Sequence, residues 1–168
     1  YSQGNGCIAV DSSNNLYIAF HGKSTSYSTH FQIFYTKYVT SWSTPVRIST
    51  ATDMENANQS DPSLSINSDD HISVVWASND IWHAEYTDSW ATPVSIDPSG
   101  NFVNARWSLY PICNTPDIVD YVFVSGSSPY TLYYDSVTEG EDTYGQFLLK
   151  EGNHDELVSN LVEDATQD

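Results

Sequence analysis

The chain has 168 residues, which is enough for one domain with its own core. Its 22 acidic and five basic residues give a net charge of −17. This charge excludes a general phosphate-backbone binder, because such binding needs clustered Lys and Arg. No apolar run reaches the roughly 20 residues of a membrane-spanning helix. The start shows neither Met nor a signal-peptide pattern, so we expect a mature form or an excised fragment.

The first part of the chain, 6–49, predicts four short strands. "IAVDSSNNLYIAF" (8–20) indicates two strands joined by a turn of Asp, Ser and Asn, residue types that bond to their own backbone and accept left-handed angles. "IFYT" (33–36) is an aromatic third strand. "SWSTPVRI" (41–48) leads into a fourth strand at Pro45, where a missing N–H costs little.

The same pattern then returns. "LSINSDDHISVVW" (64–76), "IWHA" (81–84) and "SWATPVSI" (89–96) match the first copy, and a weaker third copy runs through 108–150. Four antiparallel strands in about 40–50 residues is the period of a β-propeller blade. We therefore predict an all-β protein with blades at about 6–49, 62–97 and 108–150. An acidic C-terminal segment, 151–168, is expected to be a connector or a short helix.

Trp42 and Trp90 recur at one position of this repeat. Recurrence at a fixed position is typical of a packing residue, so both are predicted to pack at blade edges or between blades. Stacking on a ligand is the less favoured alternative.

The run "IFYTKYVTSWSTPVRIS" (33–49) resembles the repeats of sialidase-like propellers, the BNR or Asp-box class. The Ser-x-Asp-x-Gly-x-x-x-Trp box is degenerate here, since no Gly precedes Trp42 or Trp90. The resemblance implies a functional face formed by two sets of loops. One set joins successive blades, at 50–61 and 97–107, and the other joins the second and third strands, at 21–30, 77–80 and 125–129.

Within these loops we predict five ligand-binding residues: His21, Asp61, Asp80, Arg106 and Trp107. The repeat alignment makes Asn5, Asp61 and Trp107 equivalent. Arg106 could pair with a carboxylate or stack on a sugar, or form only a loop salt bridge. Asp61 precedes Pro62, so capping a turn is its alternative role.

Catalytic residues are not predicted. The resemblance implies that a sialidase would need three arginines, whereas the chain has only Arg47 and Arg106, and Arg47 is predicted inside a fourth strand. The five histidines lack metal-ligand spacing, and His83 is expected to pack within a strand. No cofactor is certain, although Ca²⁺ is possible among the Asp and Asn turns. Cys7 and Cys113 could form a disulfide or remain two buried thiols.

The leading hypothesis is an extracellular or cell-surface module without enzymatic activity that binds glycans or another surface ligand, or scaffolds a surface assembly. The alternative is part of a sialidase-like glycoside hydrolase completed by further blades or a second copy. Closed propellers have about four to eight blades. Three blades therefore predict a homo-oligomer or the remainder of a larger chain.

Overall fold

The structure, a computed structural model, describes residues 2–96 in full and the backbone of four later strands. The first sheet contains β1 (Gln3–Val10), β2 (Leu16–Gly22), β3 (Gln32–Tyr38) and β4 (Val46–Arg47). The second contains β5 (Ser60–Ile66), β6 (Ile72–Ala77), β7 (Ile81–Tyr86) and β8 (Val94–Ser95). The third contains β9 (Trp107–Thr115), β10 (Ile118–Ser125), β11 (Tyr130–Thr138) and β12 (Phe147–Gly152). A single-turn 3-10 helix, Met54–Asn56, lies in the connection between the first two sheets.

Each sheet is an antiparallel meander in which every strand pairs with the next one along the chain. The first strand of each sheet, β1, β5 and β9, lies beside its counterpart in the next sheet. The chain is therefore an all-β protein made of three four-stranded propeller blades, as the repeat predicts. The predicted connector 151–168 overlaps the end of β12, and 153–168 lie outside the described residues. None of the described helices is long and apolar enough to cross a membrane.

In the first and second blades, the turns between the first two strands follow the predicted Asx chemistry. Asp11 Oδ1 accepts hydrogen bonds from the backbone N–H groups of Ser13 and Asn15, at 2.9 and 2.8 Å. Asn67 Oδ1 accepts the same pair of bonds in the second blade, from Asp69 at 3.0 Å and His71 at 2.9 Å. These side chains replace the hydrogen bonds that the backbone loses in a tight turn.

One face of the first blade packs against the second blade to form the core. Tyr17, Ala19, Ile33 and Tyr35 of the first blade share this core with Leu64, Ile72, Val74 and Trp76 of the second. Trp76 is fully buried, and its Nε1 donates to Gln59 Oε1 at 2.9 Å. Burying a side chain of this size stabilises the fold by about 1.5–3 kcal/mol.

The repeated Trp phrase contributes to this interface in the second blade. The Trp90 ring lies 5.0 Å from the Tyr35 ring, edge to face, and 5.4 Å from Tyr86. Packing between blades is thus confirmed for Trp90. Its counterpart Trp42 lies 5.3 Å from Tyr38 in its own blade and is 49% exposed.

Cys7 also faces this interface, where it is a free thiol whose Sγ lies 3.6 Å from the carbonyl oxygen of Ala19. Burial raises the pKa of Cys7 to about 11, so little reactive thiolate forms at neutral pH. The side chain of Cys113 lies outside the described residues.

The two repeat-equivalent tryptophans should differ in their effect on stability. We expect Trp90→Ala to lower the free energy of unfolding by about 2–4 kcal/mol, because it removes an aromatic anchor between two blades. Trp42→Ala, the matched control, should cost less than about 1 kcal/mol in dilute solution, because half of that side chain is exposed. Urea unfolding followed by circular dichroism measures both, and equal losses would show that Trp90 is not an interface anchor.

Candidate functional site

Two polar clusters lie at one end of the blades, the end at which β1 and β5 begin. The loop 23–31 between β2 and β3, the connection 48–59 and the turn 78–80 all lie at this end, because each follows an even-numbered strand of a meander. We call it the loop end. The Asx turns lie at the opposite end of the strands.

The first group, which we call the inner cluster, consists of Asn5, His21 and Asp61. Asn5 and Asp61 each interrupt the strand register as a β-bulge, and both have left-handed backbone angles, with φ of 30° and 52°. The Asn5 side chain donates from Nδ2 to Asp61 Oδ1 at 2.5 Å. The equivalence of these two residues is confirmed, and the bulges place them in direct contact across the blade interface.

His21 joins this cluster from β2. Its Nδ1 accepts a hydrogen bond from the backbone N–H of Asp61 at 3.3 Å, and its ring lies 5.0 Å from Phe31. Gly4 leaves room for the ring, since a Cβ at Gly4 would lie 2.7 Å from His21 Nε2. Burial lowers the pKa of His21, while the negative charge of Asp61 opposes that shift. The structure therefore brings together two of the five predicted site residues, His21 and Asp61.

The third blade departs from the predicted alignment by one residue. Trp107 pairs with Val124, and the bulge follows at 108–109. In the second blade Ser60 pairs with Ala77 and the bulge follows at 61–62. Trp107 is therefore equivalent to Ser60, and the equivalence of Trp107 with Asp61 was wrong. The side chain of Trp107 and all of Arg106 lie outside the described residues.

Asp80 forms hydrogen bonds within the second blade. Its Oδ1 accepts a hydrogen bond from the backbone N–H of Ile81 at 2.7 Å, and its Oδ2 accepts one from Ser95 Oγ in β8. Both carboxylate oxygens therefore hold the turn 78–80 against the outermost strand.

The second group is a cleft of about 380 Å³ at the outer side of the first blade, which we call the loop cleft. Its lining comes from the loop 23–31, the end of β4 and the 3-10 helix: Ser26, Tyr27, Ser28, Thr29, His30, Arg47 and Glu55. The loop is closed by two backbone hydrogen bonds between Ser24 and Tyr27, at 3.1 and 3.2 Å. Lys23 Nζ adds a bond to the carbonyl of Thr29 at 2.8 Å.

Two buried glutamines hold the 3-10 helix beside this cleft. The carbonyl of Met54 accepts hydrogen bonds from Gln32 Nε2 and Gln59 Nε2, both at 3.1 Å. His30 Nδ1 lies 3.1 Å from the Glu55 carbonyl oxygen. These contacts fix the helix that carries the Glu55 carboxylate.

Arg47 lies at the centre of the loop cleft. Its guanidinium carbon is 4.1 Å from the centre of the Tyr27 ring, a cation–π contact. Its Nη1 lies 3.5 Å from Glu55 Oε2 and 3.4 Å from Gln32 Oε1. A guanidinium has five N–H donors, and both of these polar contacts use one nitrogen. The cleft therefore offers fixed donors, an adjacent carboxylate acceptor, an aromatic surface and several hydroxyl groups.

Sequence reasoning missed Arg47 because it placed the residue inside a fourth strand. The structure shows a strand of only two residues that ends at Arg47, which puts the side chain beside the loop end. The available signals were the rarity of arginine in so acidic a chain and the abundance of Ser and Thr in the loop 23–31.

Ca²⁺ among the Asp and Asn turns stays a prediction. The range 2–96 contains no group of three His, Cys, Asp or Glu side chains able to hold an ion. The Asp11 carboxylate in the "DSSNN" turn also accepts bonds from Asn15 Nδ2 at 2.7 Å and the Tyr17 hydroxyl at 2.8 Å. His83 is buried against Ser73 Oγ at 3.2 Å, and burial lowers its pKa to about 4.

No protein-family model and no curated protein sequence matches this chain. Solved structures do match its fold. The α-L-arabinofuranosidase of Podospora anserina, solved with cellotriose, has a TM-score of 0.60 and 10% identity, over 90% of this chain and 52% of its own. A Hadza microbial sialidase has a TM-score of 0.59 and 8% identity, over 89% and 37%.

A lectin of Aleuria aurantia, solved with α-methyl-L-fucoside, has a TM-score of 0.52 and 15% identity, over 89% of this chain and 44% of its own. The chain therefore spans about half or less of the length of these three proteins. At such identities the likeness shows a shared fold, which agrees with the propeller blades and with the sialidase-like resemblance at the level of fold.

The inner cluster predicts how His21 titrates. We expect NMR titration to give His21 a pKa below the ordinary histidine value of about 6.5, because burial disfavours the imidazolium ion. Asp61→Asn should lower the pKa further, because it removes the charge that stabilises the protonated ring. Since the folded-state pKa is depressed, His21 should destabilise the fold as pH falls through the unfolded-state value.

Asp69→Asn is the control for this titration, because Asp69 lies in the turn at the opposite end of β5. It should leave the pKa of His21 unchanged. A rise of that pKa in Asp61→Asn would contradict the geometry of the inner cluster.

Proposed function

We propose that this chain is a saccharide-binding module without catalytic activity and that the loop cleft is its binding site. One observation carries the proposal: the Arg47 guanidinium carbon lies over the Tyr27 ring, 4.1 Å from its centre, and Nη1 lies 3.5 Å from the Glu55 carboxylate. An adjacent planar donor and carboxylate acceptor match the neighbouring hydroxyl groups of a sugar ring. The fold likeness to glycoside hydrolases and a lectin is compatible with this proposal.

Charge favours a neutral saccharide. Arg47 and Glu55 balance each other in the cleft, and the whole chain carries a net charge of −17. An anionic sugar would meet repulsion from the protein at long range and competition from Glu55 at short range. The serine and threonine hydroxyls of the loop 23–31 can donate or accept, which suits a ligand with many hydroxyl groups.

We place the chain outside the cell or at the cell surface, because glycans are displayed there. A glycan or glycosylated surface is then the partner of the chain. Further blades, or a second copy, would belong to the same assembly.

The test is a glycan array followed by calorimetry with the saccharide that binds. Arg47→Ala should weaken binding at least about tenfold, because a hydrogen bond to a charged group contributes about 1.5–3 kcal/mol. Arg47→Lys should recover only part of that loss, since it restores the charge without the planar fork. Circular dichroism must show that both variants remain folded.

The matched carboxylate control compares Glu55→Gln with Asp88→Asn. Each removes one negative charge, but Asp88 is exposed in the turn before Trp90, at the other end of the blade. Only Glu55→Gln should weaken binding. Equal effects would reduce the result to a long-range charge effect and refute the cleft as the site.

The same protein and saccharide also test the alternative that the chain is part of a glycoside hydrolase. Incubation of the wild-type chain with the bound saccharide should return it intact, as judged by mass spectrometry. Release of a shorter sugar, abolished by Asp61→Asn, would replace the binding module with a glycoside hydrolase that uses the inner cluster.

A further inference from the structure

We propose that the first blade docks, through the face turned away from the second blade, onto the third blade of a second copy of this chain. Cross-strand pairing places one set of side chains on this outward face. Ile8 pairs with Ile18, and Phe20 pairs with Phe34. The alternating residues of the same strands, such as Ala19 and Tyr35, belong to the core shared with the second blade.

The outward face is apolar, and it is exposed along its innermost strand, β1. Ile8 is 60% exposed and Val10 is 51% exposed. The rings of Phe20 and Phe34 stack at 5.8 Å and line a groove of about 280 Å³ on this face. A contiguous apolar patch of this kind on a protein surface marks an interaction site more often than isolated exposed residues do.

The repeat identifies what covers such a face. The second blade carries equivalents of the outward-facing residues, and these belong to the core or pack against it: Leu64, Ile66, Val74, Trp76, Trp82 and Trp90. They are covered by the opposite face of the first blade, with Tyr35 against Trp90 at 5.0 Å. The occupant that fits the outward face of the first blade is therefore the opposite face of another blade of this repeat.

The second blade is not available as that occupant, because its face turned away from the first blade is already buried, as Val75 at 0% exposure shows. The third blade remains, and its charge is complementary to that of the first blade. Residues 1–50 contain three basic residues and one acidic residue. Residues 107–152 contain seven acidic residues and one basic residue. A contact between the first and third blades is thus favoured, while a contact between two third blades is opposed. Lys23 lines the groove on the outward face, where it can meet a carboxylate of the partner.

The area of such a contact is sufficient for a stable pair. The strands β1 to β4 have eight, seven, seven and two residues. At a spacing of about 4.8 Å and a rise of about 3.3 Å per residue, they form a face of roughly 380 Å². Two copies joined head to tail form two such contacts, so each copy buries roughly 760 Å², close to the value of about 800 Å² per partner in standard interfaces. The resulting six blades fall within the range of closed propellers, about four to eight.

The experiment is light scattering coupled to size-exclusion chromatography over a range of micromolar concentrations. The wild-type chain should have the mass of two chains. The double substitution Ile8→Lys and Val10→Lys should give the mass of one chain, because it places two ammonium groups in the contact. Val94→Lys is the control, since Val94 is similarly exposed, at 45%, but lies on the outermost strand of the second blade. It should retain the mass of two chains.

Cross-linking identifies the occupant. A mixture of ¹⁵N-labelled and unlabelled chains, treated with a reagent that joins amines to carboxyl groups, should give mixed-isotope links between Lys23 and acidic residues of 107–152. A one-chain mass for the wild type at every concentration would overturn the proposal. So would a ladder of larger masses, or equal dissociation of the Val94→Lys variant. Thermal unfolding of each variant shows whether a change of mass reflects lost docking or lost folding.

Discussion

The burial of one aromatic blade face against the next is the constraint on which this structure depends. A sheet whose outermost strand has two residues, as β4 and β8 do, cannot bury enough apolar area alone. Stacking two blades provides that area, because side chains of both blades then pack into one hydrophobic core. The edge-to-face contact of Trp90 with Tyr35 shows what the repeated phrase contributes in the second blade: it supplies an anchor at the outer part of the interface with the first blade.

Both polar groups at the loop end follow from that stacking. The inner cluster exists because Asn5 and Asp61 start neighbouring innermost strands, so their bulges meet. The loop cleft is linked to the core through hydrogen bonds: the Trp76 indole donates to Gln59, and Gln59 donates to the carbonyl of Met54. The helix that begins at Met54 carries Glu55, so a buried ring of the second blade helps to position a carboxylate beside the first. A change in the interface would therefore alter the geometry of the cleft.

The sequence was sufficient for the fold because the signals of a blade are local and repeated. Asx turns, aromatic third strands and the Trp–Pro phrase each predict structure within about ten residues, and the repeat confirms them against one another. The sequence also predicted that His21 and Asp61 lie together at the loop end of the blades. It was insufficient for the loop cleft, because the position of Glu55 depends on two contacts between residues remote in sequence. Gln32 bonds to Met54, 22 residues away, and Gln59 is held by Trp76, 17 residues away. The sequence also did not reveal that β4 has only two residues and ends at Arg47, which places Arg47 beside a loop.

Comparison of Arg47 with its counterpart shows how one repeat position acquires two roles. Ser95 occupies the same place in the second blade and donates to Asp80 in the three-residue turn 78–80. In the first blade the corresponding loop, 23–31, has nine residues, which leaves space between strand and loop. In the second blade the short turn bonds directly to the outermost strand, so no space remains between them. In the first blade the long loop carries Tyr27 and leaves a cleft between the loop and Arg47. The packing residues are therefore constrained to repeat, and a binding site can develop only where the loop length differs between blades.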